Sequence, residues 1–448
     1  MAPKLLRRIP LFFVSALISF NHCFAQIDTL RLLSYNVLYL GDSPPCQGPH
    51  NVMEGYLENV ISYANPDIAG FVKMEAMDAS GTAPAHFADS ILQYIFNAAY
   101  PGRYSYAPFT NSSGANNISM LFFDQQKLGY VNIVCSYANI TDFDTYKLYY
   151  KTANLATTHD SIFLYVTLNH TNSGSGSSAA STRGDQIAGE MAQIETHFSS
   201  LPNMVNMGDF NVHNSSEACY QTLIAPANPN YRYYDPPFYP DGIFTYPADW
   251  DSNPSDYADY LTTSTRTGTS PNECSNDFGG GKSWYDHIFL SSNIVNKTDH
   301  IGYVPHSFRV IGNDGNRLGV PAIGPPTNTS APAAVINSIY QISQHYPVAL
   351  DLLVDTSAAS AANMVNMQEE ISVTNPVGKN ITMRLPKGLQ GKRISIQCLD
   401  MLGRVQLKDD LTATSELGQL PCSLLPGVYC LSLSSDGAVM VNMIIVKE

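Results

Sequence analysis

The sequence predicts a layered α/β sandwich followed by a small all-β module. Up to Asp355, apolar strand candidates alternate with segments in which apolar residues recur at helical spacing. The strand candidates are apolar on both faces, which is typical of strands buried between layers. Beyond Asp355 the chain turns to small and polar residues, and from Ile371 it continues as short strand candidates separated by turns.

The elements of the larger part are predicted in chain order. A buried strand over 30–40 comes first, and a helix over 50–65 follows it and ends before Pro66. A second, amphipathic helix is predicted over 181–200. The remaining strand candidates are short apolar runs over 66–77, 117–124, 130–138, 160–170, 204–211, 284–291 and 347–354.

Composition limits the classes of function. Of 448 residues, 44% are hydrophobic and 14% charged, which is typical of a globular protein with a large core. The formal net charge is −14, which excludes a global basic field for nucleic acid or anionic membrane. A polyanionic substrate would therefore need local neutralisation.

The N-terminus has the pattern of an export signal. Basic residues precede an apolar run, and Ala25 stands before a suitable cleavage point. No later segment qualifies as a transmembrane helix, so we expect no stable membrane insertion. The predicted organisation is a signal peptide over 1–25, a main α/β domain over 26–355, a linker over 356–370 and a β-sandwich over 371–448.

Polar residues recur at the predicted strand ends of the main domain. In GDFN, Gly208 allows a sharp turn, and Asp209 and Asn211 could hold a hard cation or position water. An Asx-rich turn that closes a strand is the structural alternative. Each such residue has a structural explanation by itself, but their coincidence favours a shared site. The full set is Asn36, Glu75, His170, Asp209, Asn211, Asp286 and His345.

The order of these motifs resembles the endonuclease/exonuclease/phosphatase superfamily, which includes deoxyribonuclease I-like nucleases. The resemblance spans about 28–355 and depends on SYNV, KMEA, LNHT with a later Arg-x-x-Gln, GDFN, YDHI and SQHYPV. It implies a four-layer α/β sandwich, in which two mixed sheets pack face to face between helices. The site would lie at one end of the sheets.

The resemblance also implies a metal site. By position, Asn36 and Glu75 would bind a divalent ion, and Gln344 would belong to the same shell. Mg²⁺ is the first choice because oxygen ligands favour a hard cation. Mn²⁺ is a substitute, and a structural Ca²⁺ site in the loops stays open.

Catalytic roles follow from the same resemblance. Asp209 would orient or deprotonate the attacking water, and Asn211 would hold a phosphate oxygen or a metal-bound water. His170 and His345 would face the phosphorus from opposite sides, with His170 also in contact with the substrate, and Asp286 would fix the tautomer of His345. Which histidine is the acid and which the base stays open.

The chain departs from the family pattern at two positions. Met74 stands where the family usually has Gln before the metal-binding Glu. Gln344 replaces a carboxylate, so metal affinity should be lower. Arg183 and Gln186 match the Arg-x-x-Gln pattern, either as supports of a substrate-side loop or as a pair on a helix surface.

The irregular insert over 225–283 is rich in aromatic residues. These side chains would either stack nucleic-acid bases or pack together as a lid. The residues concerned are Tyr231, Tyr233, Tyr234, Phe238 and Tyr239.

The C-terminal module resembles the sorting domain of the type IX secretion pathway of Bacteroidetes. The resemblance depends on VTNPVGKNI, LDMLGRV, LLPGVYCLSL and the terminal MIIVKE. It implies that secretion machinery is a partner and that the protein is secreted or attached to the outer surface. A generic β-sandwich that binds another ligand is the alternative.

The sequence favours a secreted, divalent-metal-dependent phosphodiesterase. The first choice is a nuclease that binds extracellular nucleic acid transiently and hydrolyses it by in-line water attack. One alternative is a phosphomonoesterase or phospholipase C-type esterase acting on inositol phosphates or sphingomyelin. Another, suggested by Gln344, is a catalytically weakened binding module.

Overall fold

A computed structural model describes most of the chain. The described ranges are 27–40, 50–76, 84–152, 155, 161–239, 244–269, 277–356, 372–385, 390–400, 404–415, 417–435 and 438–447. The predicted signal peptide and nearly all of the predicted linker lie outside them. Within these ranges no helix is both long enough and apolar enough to span a membrane.

The main part of the chain contains thirteen described strands in two sheets. In chain order they are β1 (Ile27–Leu40), β2 (Ile68–Glu75), β3 (Tyr104–Tyr106), β4 (Asn117–Asp124), β5 (Leu128–Asn139), β6 (Thr141–Tyr150), β7 (Ile162–His170), β8 (Met204–Asp209), β9 (Tyr233–Tyr234), β10 (Asp286–Ser291), β11 (Ile301–Tyr303), β12 (Arg309–Val310) and β13 (Val348–Asp355).

Both sheets are mixed. The first has the order β11-β13-β1-β2-β4-β3, with β12 also paired to β13, and the second has the order β5-β6-β7-β8-β10-β9. Each contains one parallel pair, β1 with β2 and β7 with β8, among antiparallel neighbours. Strands β1 and β2 of the first sheet contact β7, β8 and β10 of the second, so the sheets pack face to face.

Helices cover the outer faces. They are α1 (His50–Ala64), α2 (Pro84–Ile91) with a π-helical turn (Leu92–Phe96) and a last turn (Asn97–Ala99), α3 (Ser177–His197), α4 (Ala218–Ile224), α5 (Ser292–Asn296) and α6 (Ala333–Ile342). Short 3-10 turns occur at Pro229–Tyr231, Pro236–Phe238 and Pro254–Tyr260. α6 packs on α1 and contacts β1, whereas α3 packs on α4 and contacts β5. The predicted four-layer sandwich is confirmed.

Two irregularities shape the end of the sheets where the site lies. The pairing of β1 with β2 shifts register between Asn36 and Leu40, and the pairing of β2 with β4 shifts between Phe71 and Met74. Lys73, inside the second shift, has a positive φ of 57°. Such bulges turn side chains away from the regular alternation of a strand.

The C-terminal part forms its own small all-β structure. Its strands are β14 (Ser372–Val373), β15 (Asn380–Arg384), β16 (Arg393–Leu399), β17 (Val405–Thr412), β18 (Leu417–Pro421), β19 (Gly427–Ser435) and β20 (Ala438–Lys447). They form the sheets β14-β15-β18 and β17-β16-β19-β20. Both sheets contribute to one hydrophobic cluster that shares no residue with the main core, for example Ile381 and Leu420 from one and Ile396 and Leu431 from the other. The module is therefore a β-sandwich, and the exact domain boundaries stay predictions.

A buried carboxyl group lies between α3 and the second sheet. Glu190 is 1% exposed, and its Oε1 accepts a hydrogen bond of 2.7 Å from the side chain of Asn206. Among the described residues its other oxygen has no hydrogen-bond partner. Burial raises the pKa of Glu190 to about 8, although hydrogen bonds from Asn169 and Asn206 oppose the rise.

We predict that Glu190→Gln makes the main domain more stable at alkaline pH. Between the ordinary pKa of 4.5 and about 8, folded Glu190 keeps a proton that the unfolded chain releases. The free energy of unfolding should therefore fall with rising pH in this window, by at most about 1.4 kcal/mol per pH unit, and the amide removes that dependence. Urea unfolding from pH 5 to 9 measures it. Glu195→Gln, on the exposed face of the same helix, is the control, and parallel pH curves for all three proteins would contradict the prediction.

Candidate active site

A polar cavity of about 480 Å³ opens at the end of the two sheets. Its walls include residues from both sheets and from the loops between them. Among the residues that line it are Lys73, Asp209, Asn211, His213, Gln344 and His345.

His345 lies between two buried carboxylates. Its Nδ1 is 2.7 Å from Asp286 Oδ2, and its Nε2 is 3.7 Å from Asp209 Oδ2. Asp286 is fully buried, and Asp209 and His345 are nearly so. Although burial lowers it, the charges of Asp286 and Asp209 raise the pKa of His345 above its ordinary value. The two carboxylates therefore favour the protonated form of the His345 imidazole.

Strand register brings these groups together. In the second sheet His170, Asp209 and Asp286 end three neighbouring strands, with Asp209 directly opposite both of the others. His345 comes from the first sheet, just before β13. Its backbone N–H donates to Ser343 Oγ, and that hydroxyl donates to the carbonyl of Asn36 at 2.6 Å.

His170 approaches Asp209 from the other side. Its Nε2 is 4.0 Å from Asp209 Oδ2, and its Nδ1 is 3.0 Å from Asn117 Oδ1. Burial, and then the positive charges of Lys73 and His345, lower the pKa of His170 well below its ordinary value. The two histidines thus differ, because His345 favours the protonated form and His170 the neutral form.

Asp209 is the centre of the group. Burial raises its pKa to about 6, against the opposing charge of His345 and a 2.8 Å hydrogen bond from Asn36 Nδ2. Asn211, in a left-handed conformation, donates its backbone N–H to Asp209 Oδ1 and its amide to the carbonyl of Thr171. One amide hydrogen of Asn211 is therefore already used.

Gly208 allows the strand end to have this shape. It has a φ of +149°, and a Cβ at this position would collide with the backbone carbonyl of Asn169 on the parallel neighbour β7. Only glycine permits β7 and β8 to approach so closely just before Asp209.

Two of the three predicted magnesium ligands accept hydrogen bonds through their carbonyl oxygens, and the third does not line the cavity. Asn36 Oδ1 accepts the N–H of Leu38, and Gln344 Oε1 accepts the N–H of Asp277. Glu75 is half-buried at the end of β2, opposite Asn117. It does not line the cavity, and it does not belong to the cluster formed by Asp209, Asp286 and His345.

A different cluster has metal-binding spacing. Ligand atoms of Asp209, Asp286 and His345 lie within 4.8 Å of one another. This set combines nitrogen with oxygen, and Asp286 is hydrogen bonded to the imidazole itself. Mg²⁺ prefers oxygen ligands and retains its waters, so these residues do not fit the predicted ion.

Several cavity residues were not predicted from the sequence. The side chain of Lys73 is 8% exposed and lines the cavity. Elsewhere in the lining, His213 Nδ1 forms a close ion pair with Asp251, and Tyr285 Oη is 3.4 Å from the same nitrogen. A lysine inside an otherwise apolar strand was the one visible signal for Lys73, whereas Asp251 lies in an irregular loop.

Arg183 and Gln186 support the cavity loop. Arg183 is fully buried, with Nε and Nη2 donating to Glu217 at 2.9 and 2.7 Å. Its Nη1 donates to the carbonyls of Asn172 and Gly174, and Gln186 accepts the N–H of Asn172. The alternative of a pair on the helix surface is wrong, because both side chains are completely buried.

The aromatic insert is packed rather than open. Tyr231, Tyr233 and Phe238 are buried in the main core, and Phe238 stacks on the buried Trp284. Tyr234 and Tyr239 are half-buried and contact each other edge to face. The lid interpretation fits these side chains, and base stacking does not.

Comparisons with known proteins give low similarity. No family model and no curated protein matches the chain. Among solved structures, it is similar to an endonuclease/exonuclease/phosphatase from Beutenbergia cavernae, at 12% identity and a TM-score of 0.38, over 93% of this chain and 99% of that one.

Two further solved structures are similar at the same level. TDP2 from C. elegans has 12% identity and a TM-score of 0.41, over 73% of this chain and 75% of that one. A 3'-5' exonuclease from Neisseria meningitidis has 12% identity and a TM-score of 0.37, over 71% of this chain and 98% of that one. Such low similarity says nothing about the substrate of this chain.

We predict that Arg183→Met destabilises the protein by about 3–5 kcal/mol, because Glu217 would be left with a buried, unpaired charge. The loop at 172–175 should also lose its two carbonyl contacts and become a preferred protease site. Urea unfolding and limited proteolysis measure both effects. Arg232→Met removes an exposed arginine as the control. Unchanged stability together with unchanged cleavage of this loop would refute the supporting role.

Proposed function

We propose that the main domain is a phosphoric ester hydrolase of the endonuclease/exonuclease/phosphatase type, with phosphodiesters as substrates and nucleic acid as the first candidate. The observation that supports this most is the line Asp286–His345–Asp209, with His170 on the far side of Asp209. Asp209 and His345 line the polar cavity, and the four groups include no covalent nucleophile such as an activated serine.

The geometry suits attack by water on phosphorus. Asp209, flanked by both imidazoles, would orient the water. His170, neutral because of its environment, would accept a proton from it. His345, kept protonated by Asp286, would donate a proton to the departing oxygen. This assigns the base and the acid that the sequence left open.

The reaction requires in-line positioning and charge neutralisation more than bond-making side chains. Mg²⁺ or Mn²⁺ would supply Lewis-acid chemistry if one were bound. Because Asn36 and Gln344 already accept hydrogen bonds and Glu75 does not line the cavity, each role above is given to a side chain of the chain itself.

We expect His345→Ala and Asp286→Asn each to lower hydrolysis by about a hundredfold or more, because the first removes the proton donor and the second removes the carboxylate that keeps this donor protonated. Since the two act as a unit, the double variant should be no slower than His345→Ala alone. Initial rates are measured on plasmid DNA, RNA, sphingomyelin vesicles, inositol phosphates and bis(p-nitrophenyl) phosphate, each with Mg²⁺, with Mn²⁺ and with chelator.

The control for these variants is His197→Ala, at the exposed end of α3. Cleavage of plasmid or RNA identifies a nuclease, whereas turnover of sphingomyelin or inositol phosphates alone supports the alternative esterase. If the chain hydrolyses none of the panel, the proposed function fails, and the weakened binding module is the alternative that remains.

We also propose that the protein is exported and that residues 372–447 are recognised by secretion machinery. The supporting residues are the N-terminal signal pattern and the C-terminal motifs. Fractionation of expressing cells that contain this machinery should find the full chain outside the cell or on its surface, and a chain ending at residue 356 in the periplasm. Equal distribution of both chains would refute the sorting role.

A further inference from the structure

Lys73 enters the cavity from a place where strands usually bury apolar side chains. It lies in the register shift of β2 with a positive φ of 57°. The side chain is 8% exposed, and its Nζ lies 4.8 Å from the centroid of the Tyr39 ring. Tyr39 also has a positive φ of 57° and lies in the register shift of β1. Two irregular strand segments therefore hold this ammonium group.

The ammonium group faces several carboxylates without pairing closely with any. Burial lowers the pKa of Lys73, and the negative charges of Asp209, Asp277 and Asp286 oppose this effect without cancelling it. Within the described ranges, however, no carboxylate lies at ion-pair distance from its Nζ. A desolvated cation without a direct counterion is unfavourable unless a ligand supplies the negative charge.

In the same cavity the predicted oxygen ligands for a divalent ion are either already hydrogen bonded or absent from the lining. Asn36 and Gln344 have their carbonyl oxygens in hydrogen bonds, and Glu75 is not among the lining residues. An ammonium group in the cavity would moreover repel a second cation. The positive charges available there belong to the chain: Lys73, the imidazole of His345, and Lys282, which forms an ion pair with Asp277.

We propose that Lys73, rather than a divalent cation, is the positive charge that binds the phosphoryl oxygens in this cavity. Where the proposed hydrolase function holds, hydrolysis then needs no added metal. Lys73 makes and breaks no covalent bond in this role. It neutralises a non-bridging oxygen while the groups around Asp209 move protons.

Titration calorimetry with inorganic phosphate tests the binding step separately from hydrolysis. The wild-type chain should bind phosphate, and Lys73→Met should weaken binding by about tenfold or more, as expected for loss of a charged hydrogen bond. Lys73→Arg should retain binding within a few fold because it keeps the charge. Lys151→Met removes an exposed lysine and is the control.

Titration with Mn²⁺ and rates measured with chelator complete the test. We expect no Mn²⁺ site that depends on Asp209, so the wild-type chain and Asp209→Asn should give the same Mn²⁺ titration. Chelator should leave the hydrolysis rate of the wild-type chain unchanged. Lys73→Met should fold, because it replaces a buried charge with an apolar chain of similar length, and thermal unfolding checks this. If Lys73→Met does not fold, phosphate binding by Lys73→Arg and the Mn²⁺ titration decide.

The outcomes distinguish this inference from the proposed function. Phosphate affinity unchanged in folded Lys73→Met overturns it. Mn²⁺ binding that depends on Asp209, with hydrolysis only when Mn²⁺ is added, also overturns it but leaves the hydrolase intact. Phosphate binding that depends on Lys73, in a chain that hydrolyses no ester, supports the inference while the proposed function fails.

Discussion

The pairing of His345 with two buried carboxylates determines the character of the whole cavity. Asp286 and Asp209 come from adjacent strands of the second sheet, and the imidazole comes from the first, so the group exists only while the two sheets stay packed. Ser343 strengthens this connection, because its hydroxyl bonds to β1 and also accepts the N–H of His345. Arg266 adds a further constraint, since its guanidinium donates to the carbonyls of Tyr340 and Gln341 near the end of the helix that precedes His345. The packing of the two sheets therefore also determines the protonation of His345.

Much of the fold could be predicted from the sequence because the periodicity of apolar residues follows directly from which side chains are buried. The predicted strands and helices correspond closely to those of the structure, and the four layers followed from a resemblance of ordered motifs. Strand β6 escaped prediction because Asp142 and Asp144 interrupt its apolar pattern. Both carboxylates are buried, and they accept backbone hydrogen bonds from the neighbouring loop at Ser112, Ser113 and Thr110. Sequence periodicity cannot show that a charged side chain has partners from a distant segment.

The site residues likewise fall into those that the sequence predicts correctly and those that depend on tertiary packing. His170, Asp209, Asp286 and His345 end regular strands or stand just before one, and the structure brings them together as expected. Glu75 and Lys73 lie in or after a register shift, where a one-residue difference decides which side chain faces the cavity. Bulges depend on tertiary packing and have no short-range signature, so the sequence pointed to Glu75, which does not line the cavity, and not to Lys73, which does. In an acidic chain, one correctly placed ammonium group can outweigh an unfavourable overall charge.

Gly208 has a consequence for how this chain can vary over time. The residue before Asp209 must lack a side chain, since even a methyl group would meet the main chain of β7. Any replacement would push apart the one parallel pair in the second sheet and shift the carboxylate that follows it. A lineage could exchange wall residues such as His213 or Lys282 and so change what the cavity accepts. It could not alter this glycine without rebuilding the sheet beneath it, so diversification should concentrate in the loops and leave this strand end untouched.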